Sequence, residues 1–262
     1  MTLSLIIPLF AAIVTGMAVN YMADVLPLTR SFSKPVCLDC EARLNLKDYL
    51  LLRPCSNGHR RGIRALVVLI FIASSSLYIW FYPPEKIGYT IGLILITYFS
   101  LIFVIDLEHR LILHPTSVAG IVIGLVAGLI KRGITPTLLG GLGGLIIMLF
   151  LYFIGVLFAR FRAKRLVASG QETDDEEALG AGDVILVTIL GFIVGWPLIW
   201  FGLLAGILLG GVISICLLLW LVISGQYSKN ALMMFIPYGP YFITSTFVIV
   251  FFPDFVSSLL SG

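Results

Sequence analysis

The stretch Phe103-Val-Ile-Asp-Leu-Glu-His-Arg-Leu-Ile-Leu-His-Pro115 separates two long apolar runs. The first run, residues 87–105, ends on Asp106, and the second begins just after Pro115. The charged residues between them therefore lie where a membrane helix is expected to meet water. Moving a charged side chain to the bilayer centre costs roughly 2.5–3.5 kcal/mol, so acids in such segments usually have a function.

A second acid lies in a similar position, in Gly180-Ala-Gly-Asp183, where Asp183 opens another apolar run. Two nearby carboxyl groups do not both ionise readily, so one keeps a proton while the other can accept one from water. Aspartic proteases activate water in this way. Gly180 and Gly182 would let the chain approach a substrate closely or adopt a positive φ. The alternative is that each acid only caps a helix or lies at the interface.

Composition predicts an all-α membrane protein. The chain is 59% hydrophobic and only 12% charged, whereas soluble domains carry about 25% charged residues. Spanning helices need about 20 apolar residues, and about eight transmembrane helices are expected. The apolar runs cover residues 3–26, 65–82, 87–105, 116–130, 134–159, 184–196, 198–223 and 235–252. Three parts follow: a first transmembrane helix (1–27), a polar loop (28–64) and a seven-helix membrane domain (65–262) that contains both acids.

The polar loop sets the expected orientation. It holds eight lysines and arginines, and cytoplasmic loops of membrane proteins carry an excess of these residues. Threading the runs from there puts Asp106 and Asp183 at the cytoplasmic ends of their helices. Lys131 and Arg132 are a local exception, since they fall on the outer side. The chain shows no nucleic-acid signature, and membrane lipid is the expected surrounding.

The same loop contains a candidate metal site. Cys37 and Cys40 form a Cys-x-x-Cys pair, and Cys55 is followed four residues later by His59. A Cys₃His set suits the tetrahedral preference of zinc. Because the loop has few large apolar residues, metal binding would supply folding energy that its own core lacks. The sequence therefore predicts a small cytoplasmic loop resembling a zinc knuckle; the alternative is that the thiols remain from a lost site.

Several segments, in the same order along the chain, resemble type IV prepilin peptidases (prepilin leader peptidase/N-methyltransferases), which are GxGD-type intramembrane aspartyl proteases. The resemblance covers nearly the whole chain. It rests on Gly16 to Asn20 with Leu26-Pro27, the Cys-x-x-Cys loop, Asp106-Leu-Glu-His-Arg110, Gly180-Ala-Gly-Asp183 and Ile236-Pro-Tyr-Gly-Pro-Tyr241. In that family the loop usually has two Cys-x-x-Cys pairs, whereas here Cys55-Ser-Asn-Gly58 lacks the last cysteine.

The resemblance implies an eight-helix bundle in the inner or plasma membrane with its active site near the cytoplasmic face. It implies cleavage of the short basic leader of type IV prepilins and pseudopilins after a glycine. In many members, methylation of the new N-terminus with S-adenosylmethionine follows. Asp106 and Asp183 carry over as the catalytic pair. The implied active-site neighbours are Gly180, Gly182, Pro237, Gly239 and Pro240.

A transporter coupled to protons or other cations is the alternative function, because acids in membrane helices also mark ion pathways. Against it, both acids are expected at one membrane face, and no inverted repeat is visible in the sequence. The acidic run Asp174-Asp-Glu-Glu177 is interpreted either as a solvated loop or as an attractant for a basic leader.

Overall fold

The computed structural model describes residues 2–261 except 38–39, 41, 51, 60–61, 169–179 and 225–236; at 2–4, 162–168 and 260–261 it describes the backbone alone. Most of the described residues are helical, and there is no β-strand among them. A single antiparallel bridge joins Val36 to Arg43 in the polar loop. The predicted all-α class is confirmed.

Each predicted apolar run contains a helix. The helices are α1 Thr2–Thr29, α2 Leu46–Leu50, α3 Ile63–Phe81, α4 Gly88–His109, α5 His114–Arg132, α6 Ile134–Ala168, α7 Ala181–Val194, α8 Leu198–Ile223, α9 Gly239–Phe251 and α10 Pro253–Ser261. Among the described residues, six helices are long and apolar enough to span a membrane, or seven if α9 and α10, bent by 98°, count as one span. The multi-pass character is therefore confirmed. The remaining predicted span is α7, whose 14 residues are fewer than the roughly 20 that a bilayer requires.

The chain divides into two compact units, Met1–Thr116 and Ser117–Gly262. In the first unit, α1 packs against α3 and α4. The Asn20 amide donates a hydrogen bond to the Ala65 carbonyl at 3.1 Å, and the Ser76 hydroxyl donates to the Pro8 carbonyl at 3.0 Å. Both bonds join α1 to α3, because buried polar groups in a membrane helix need partners on neighbouring helices.

In the second unit, α6 and α7 pack through glycines. A Cβ atom placed on Gly140 would lie 2.3 Å from the Gly191 carbonyl oxygen, and one on Gly144 would lie 2.8 Å from the Val187 carbonyl oxygen. Real Cβ atoms do not approach other atoms so closely, so the two backbones meet only because these positions lack side chains. The glycine-rich stretch 140–144 is thus a packing surface for α7.

Lys131 and Arg132 also contribute to the packing of the second unit. The Lys131 ammonium donates to the Val250 carbonyl at 3.3 Å, at the C-terminal end of α9. The Arg132 side chain lies against Gly195, the residue that ends α7. Cations stabilise helix C-termini, where the helix dipole is negative. The two cations that the sequence puts on the outer side therefore have a structural role at helix ends.

Candidate active site and metal centre

Asp106 lies in the last turn of α4 and is buried, with 4% of its surface exposed. The helix continues to His109 and ends at Arg110, which adopts the left-handed conformation with φ 54°. The Arg110 N–H donates to the Asp106 carbonyl at 2.9 Å and so closes the helix. The sequence predicts an acid at the end of a membrane helix, and the structure has Asp106 there, with its side chain enclosed within the first unit.

Asp183 lies in the first turn of α7 and is half-buried. Its backbone N–H donates to the Gly180 carbonyl at 3.0 Å. Gly180 precedes the helix in an extended conformation, with φ −77° and ψ 143°. Neither Gly180 nor Gly182 has a positive φ, so the conformational freedom predicted for these glycines is unused here. A Cβ on Gly180 would lie 3.7 Å from the Asp183 Oδ2 atom, which places the backbone of this turn beside the carboxylate.

The segment around Pro237 leads into α9. Pro237 is half-buried and precedes the helix, and Gly239 and Pro240 are buried in its first turn. A proline in the first turn of a helix is favourable because its missing N–H would have no partner there. α9 packs against α7 and α8 within the second unit. Ile236, the first residue of the predicted motif, lies outside the described residues.

Asp106 and Asp183 belong to different units of the chain. The structure therefore describes the two acids separately, and their pairing stays a prediction. The acidic run 174–177 lies outside the described residues.

The predicted metal ligands come together in the polar loop. The ligand atoms of Cys37, Cys40, Cys55 and His59 all lie within 4.8 Å of one another. The Sγ atoms of Cys40 and Cys55 are 3.7 Å apart. The His59 Nδ1 atom lies 3.5 Å from the Cys55 Sγ atom and 4.0 Å from that of Cys37.

These distances suit a tetrahedral metal. Zinc bonds of about 2.3 Å to sulfur and 2.0–2.1 Å to nitrogen give ligand separations of about 3.8 Å for two sulfurs and about 3.5 Å for sulfur and nitrogen. The four residues thus form a cluster that can hold one metal ion, as the sequence predicts. Cys216, the remaining cysteine, is exposed on α8.

Two tight turns shape the cluster. The Cys37 N–H donates to the Ala42 carbonyl at 2.9 Å, and the Cys55 N–H donates to the His59 carbonyl at 3.0 Å. Gly58 has φ 82° in the second turn, a conformation that favours glycine. This glycine replaces the expected fourth cysteine, and the chain turns there so that His59 reaches the cluster.

The Cys55 thiol is suited to metal binding. Burial raises its pKa, but hydrogen bonds from the backbone N–H groups of Asn57 and His59 and from the Cys40 and Cys37 thiols together outweigh burial and lower the pKa to about 6. The thiolate, not the thiol, is the metal ligand. These hydrogen bonds therefore favour the form of Cys55 that a metal needs.

Sequence reasoning missed a group of contacts near Asp106. The Arg64 guanidinium donates to the carboxylates of Asp24 and Glu108. The Tyr49 hydroxyl donates to the other oxygen of Asp24. The only sequence signal was the presence of Asp24 within an apolar run and of Glu108 two residues after Asp106.

Comparison with known proteins gives a family match for the middle of the chain. Residues 93–215 match the type IV leader peptidase family, a range that includes both Asp106 and Asp183. No curated protein and no solved structure matches the chain. The match confirms the resemblance that the sequence motifs indicate.

Proposed function

With residues 93–215 matched to the type IV leader peptidase family, we propose that this chain is a membrane aspartic endopeptidase that removes the leader of type IV prepilins or pseudopilins. Asp106 and Asp183 are its proposed catalytic pair. The observation that carries the proposal is that the matched region contains both acids. The match favours this function over a transporter.

The proposed reaction needs two carboxyl groups and one water molecule. One carboxylate accepts a proton from the water while the water oxygen bonds to the carbonyl carbon of the scissile peptide. The other carboxyl group, which holds a proton, protonates the leaving nitrogen as the carbon–nitrogen bond breaks. The products are a free leader and a new N-terminal amine, and no nucleophilic side chain is required.

We place this reaction at the cytoplasmic face of the inner or plasma membrane. The support is the excess of lysine and arginine in residues 28–64, which favours a cytoplasmic loop. The loop connects α1 to α3, so α3 begins on the side of the loop. Helix α4 then returns to that side, and Asp106 lies at its returning end.

We further propose that the Cys₃His cluster binds one zinc ion with a structural role. The ligand separations described above fit a closed tetrahedral site. The surrounding core is small, and its buried residues are Cys37, Leu44, Tyr49 and Cys55. Zinc would therefore add folding energy to a loop that buries few apolar side chains.

Co-expression with prepilins tests the proposal directly. A panel of prepilins, each with a basic leader, a glycine and an apolar helix, is produced with and without the protein, and the N-terminus of each is determined by mass spectrometry. We expect loss of the leader after the glycine. An added methyl group would show the S-adenosylmethionine-dependent second step that the family resemblance implies. Intact prepilins beside abundant protein in the membrane would contradict the proposed peptidase.

A further inference from the structure

One cation in the first unit bridges two acids that are distant in sequence. The Arg64 Nη1 atom donates to the Glu108 Oε2 atom at 2.7 Å, and its Nη2 atom donates to Asp24 Oδ1. Arg64 opens α3, Asp24 lies near the end of α1, and Glu108 lies in the last turn of α4. The planar guanidinium presents donors in several fixed directions, so a single arginine can tie three helix ends together.

The Asp24 end of this bridge is buried, whereas Glu108 at its other end is exposed. The exposed fractions of the side chains are 6% for Asp24, 24% for Arg64 and 35% for Glu108. By contrast, the pair of Arg53 with Asp48 in the same unit has exposed fractions of 64% and 40%. Water and salt screen exposed pairs strongly, so the buried Asp24 should hold Arg64 firmly. Arg64 therefore offers Glu108 a better-fixed partner than Arg53 offers Asp48.

The bridge is anchored on the loop that holds the cysteines. The Tyr49 hydroxyl contacts Asp24 Oδ2 and lies 3.0 Å from the Asn20 carbonyl oxygen. Tyr49 is 1% exposed and belongs to the buried core of the loop with Cys37 and Cys55. Asp24 is therefore fixed from both sides, by Tyr49 and by Arg64, and offers Arg64 a rigid point of attachment.

Glu108 transmits this restraint to Asp106. Residues two apart on a helix point about 200° apart around its axis, so Arg64 holds α4 from the side away from Asp106. The same final turn contains both residues and ends at Arg110. Fixing Glu108 thus fixes the rotation of the turn, and with it the direction of the Asp106 side chain.

We propose that Asp24, Arg64 and Glu108 form a clamp that positions Asp106 for the reaction, with Arg64 and Glu108 as positioning residues. The clamp rests on the proposed peptidase function of Asp106. A displacement of about 1 Å in a catalytic group can lower a rate by about 100-fold. The clamp therefore acts on turnover and leaves substrate binding unchanged.

Substitutions at Glu108 test the clamp and leave both members of the partly buried pair of Arg64 and Asp24 in place. Glu108→Ala removes the contact, while Glu108→Gln removes the charge and keeps an acceptor. We expect kcat to fall by about 10- to 100-fold in Glu108→Ala and by less in Glu108→Gln, with KM unchanged. The control is Asp48→Ala, which breaks the exposed pair and should leave kcat and KM at wild-type values.

A double-mutant cycle adds a second readout. Arg64→Lys keeps the charge but cannot bridge both carboxylates. Arg64→Lys and Glu108→Ala both interrupt the bridge from Asp24 through Arg64 to Glu108. Combining the two changes should therefore lower kcat no further than the more severe single change. Wild-type kcat in Glu108→Ala would overturn the clamp. A raised KM in Glu108→Ala would also overturn it, because Glu108 would then be a substrate contact. The same holds if the fold-losses in kcat of the two single variants multiply in the double variant.

Amide hydrogen exchange at residues 103–109 separates the clamp from the peptidase function. Faster exchange in Glu108→Ala than in Asp48→Ala is expected, and equal exchange would overturn the clamp. If the wild-type protein cleaves no prepilin, the peptidase proposal fails, while the exchange experiment still decides whether the clamp holds α4.

Discussion

The helices that carry Asp106 and Asp183 are held in different ways. The end of α4 is fixed by polar side chains from other elements, with Arg64 contacting Glu108 at 2.7 Å. Helix α7 is fixed by backbone packing, since a Cβ on Gly191 would lie 2.4 Å from the Gly140 carbonyl oxygen. Polar contacts can be weakened one at a time, whereas a close backbone contact accepts no added atom. Substitutions should therefore weaken the contacts at the end of α4 in steps, whereas an added atom in the α6–α7 contact should disrupt the packing of α7.

The largest expected effect is on the close packing of α7. Gly140→Ala would place a methyl group against the Gly191 carbonyl and the Gly195 backbone, so α6 and α7 must separate. Overpacking of this kind typically costs about 1–3 kcal/mol. We expect a lower melting temperature of the purified protein and a large loss of prepilin cleavage.

Gly211→Ala is the matched control, because a Cβ there has no atom within 4 Å. It should melt at or above the wild-type temperature, since alanine favours a helix more than glycine does. Equal melting of the two variants would show that the close contact of Gly140 does not hold α7.

A smaller effect is expected from substituting the metal ligands, and it is measured as the zinc content of the protein. Purified wild-type protein should contain close to one zinc per chain by elemental analysis, and both Cys40→Ser and His59→Ala should contain less, because each loses one of four ligands. Cys216→Ser is the control, since this cysteine lies outside the cluster. Undiminished zinc in His59→Ala would remove His59 from the ligand set. A wild-type protein without zinc would end the proposal.

The smallest expected effect concerns the acidic run 174–177. Replacing the four acids with Asn or Gln should raise KM for a prepilin with a basic leader by a few-fold, because opposite charges raise the local substrate concentration. Salt screens such attraction, so the difference should shrink when KM is measured at high ionic strength. An unchanged KM at low ionic strength would leave the run as a solvated loop.

Sequence patterns predict the helices of this protein well because a bilayer demands long apolar runs. They also predict the Cys₃His cluster, since ligand spacing within one loop limits where the side chains can lie. They predict about eight spans, whereas the described residues contain six sufficiently long apolar helices, or seven with the bent pair, and α7 is shorter than a bilayer requires. They predict that Asp106 lies at a helix end, as it does, but not that its side chain is buried.

Contacts between distant residues could not be read from the sequence. Asp24, Arg64 and Glu108 are about 40 residues apart in turn, and no local pattern indicates that one arginine reaches both acids. Lys131 and Arg132 break the expected excess of cations on the cytoplasmic side. Their contacts at the ends of α9 and α7, which the sequence does not indicate, give them a structural role. The pairing of Asp106 with Asp183 stays a prediction, because the acids belong to separate units.

Cleavage of a prepilin by Asp106→Asn, Asp183→Asn and the double variant tests the catalytic pair most directly. Melting of each purified variant near the wild-type temperature would show that it is folded. Because each acid supplies one half of the proton exchange, we predict that either single change abolishes cleavage and that the double change lowers it no further. His109→Ala and His114→Ala should keep cleavage. A single Asn variant that cleaves at near the wild-type rate would contradict the aspartic mechanism.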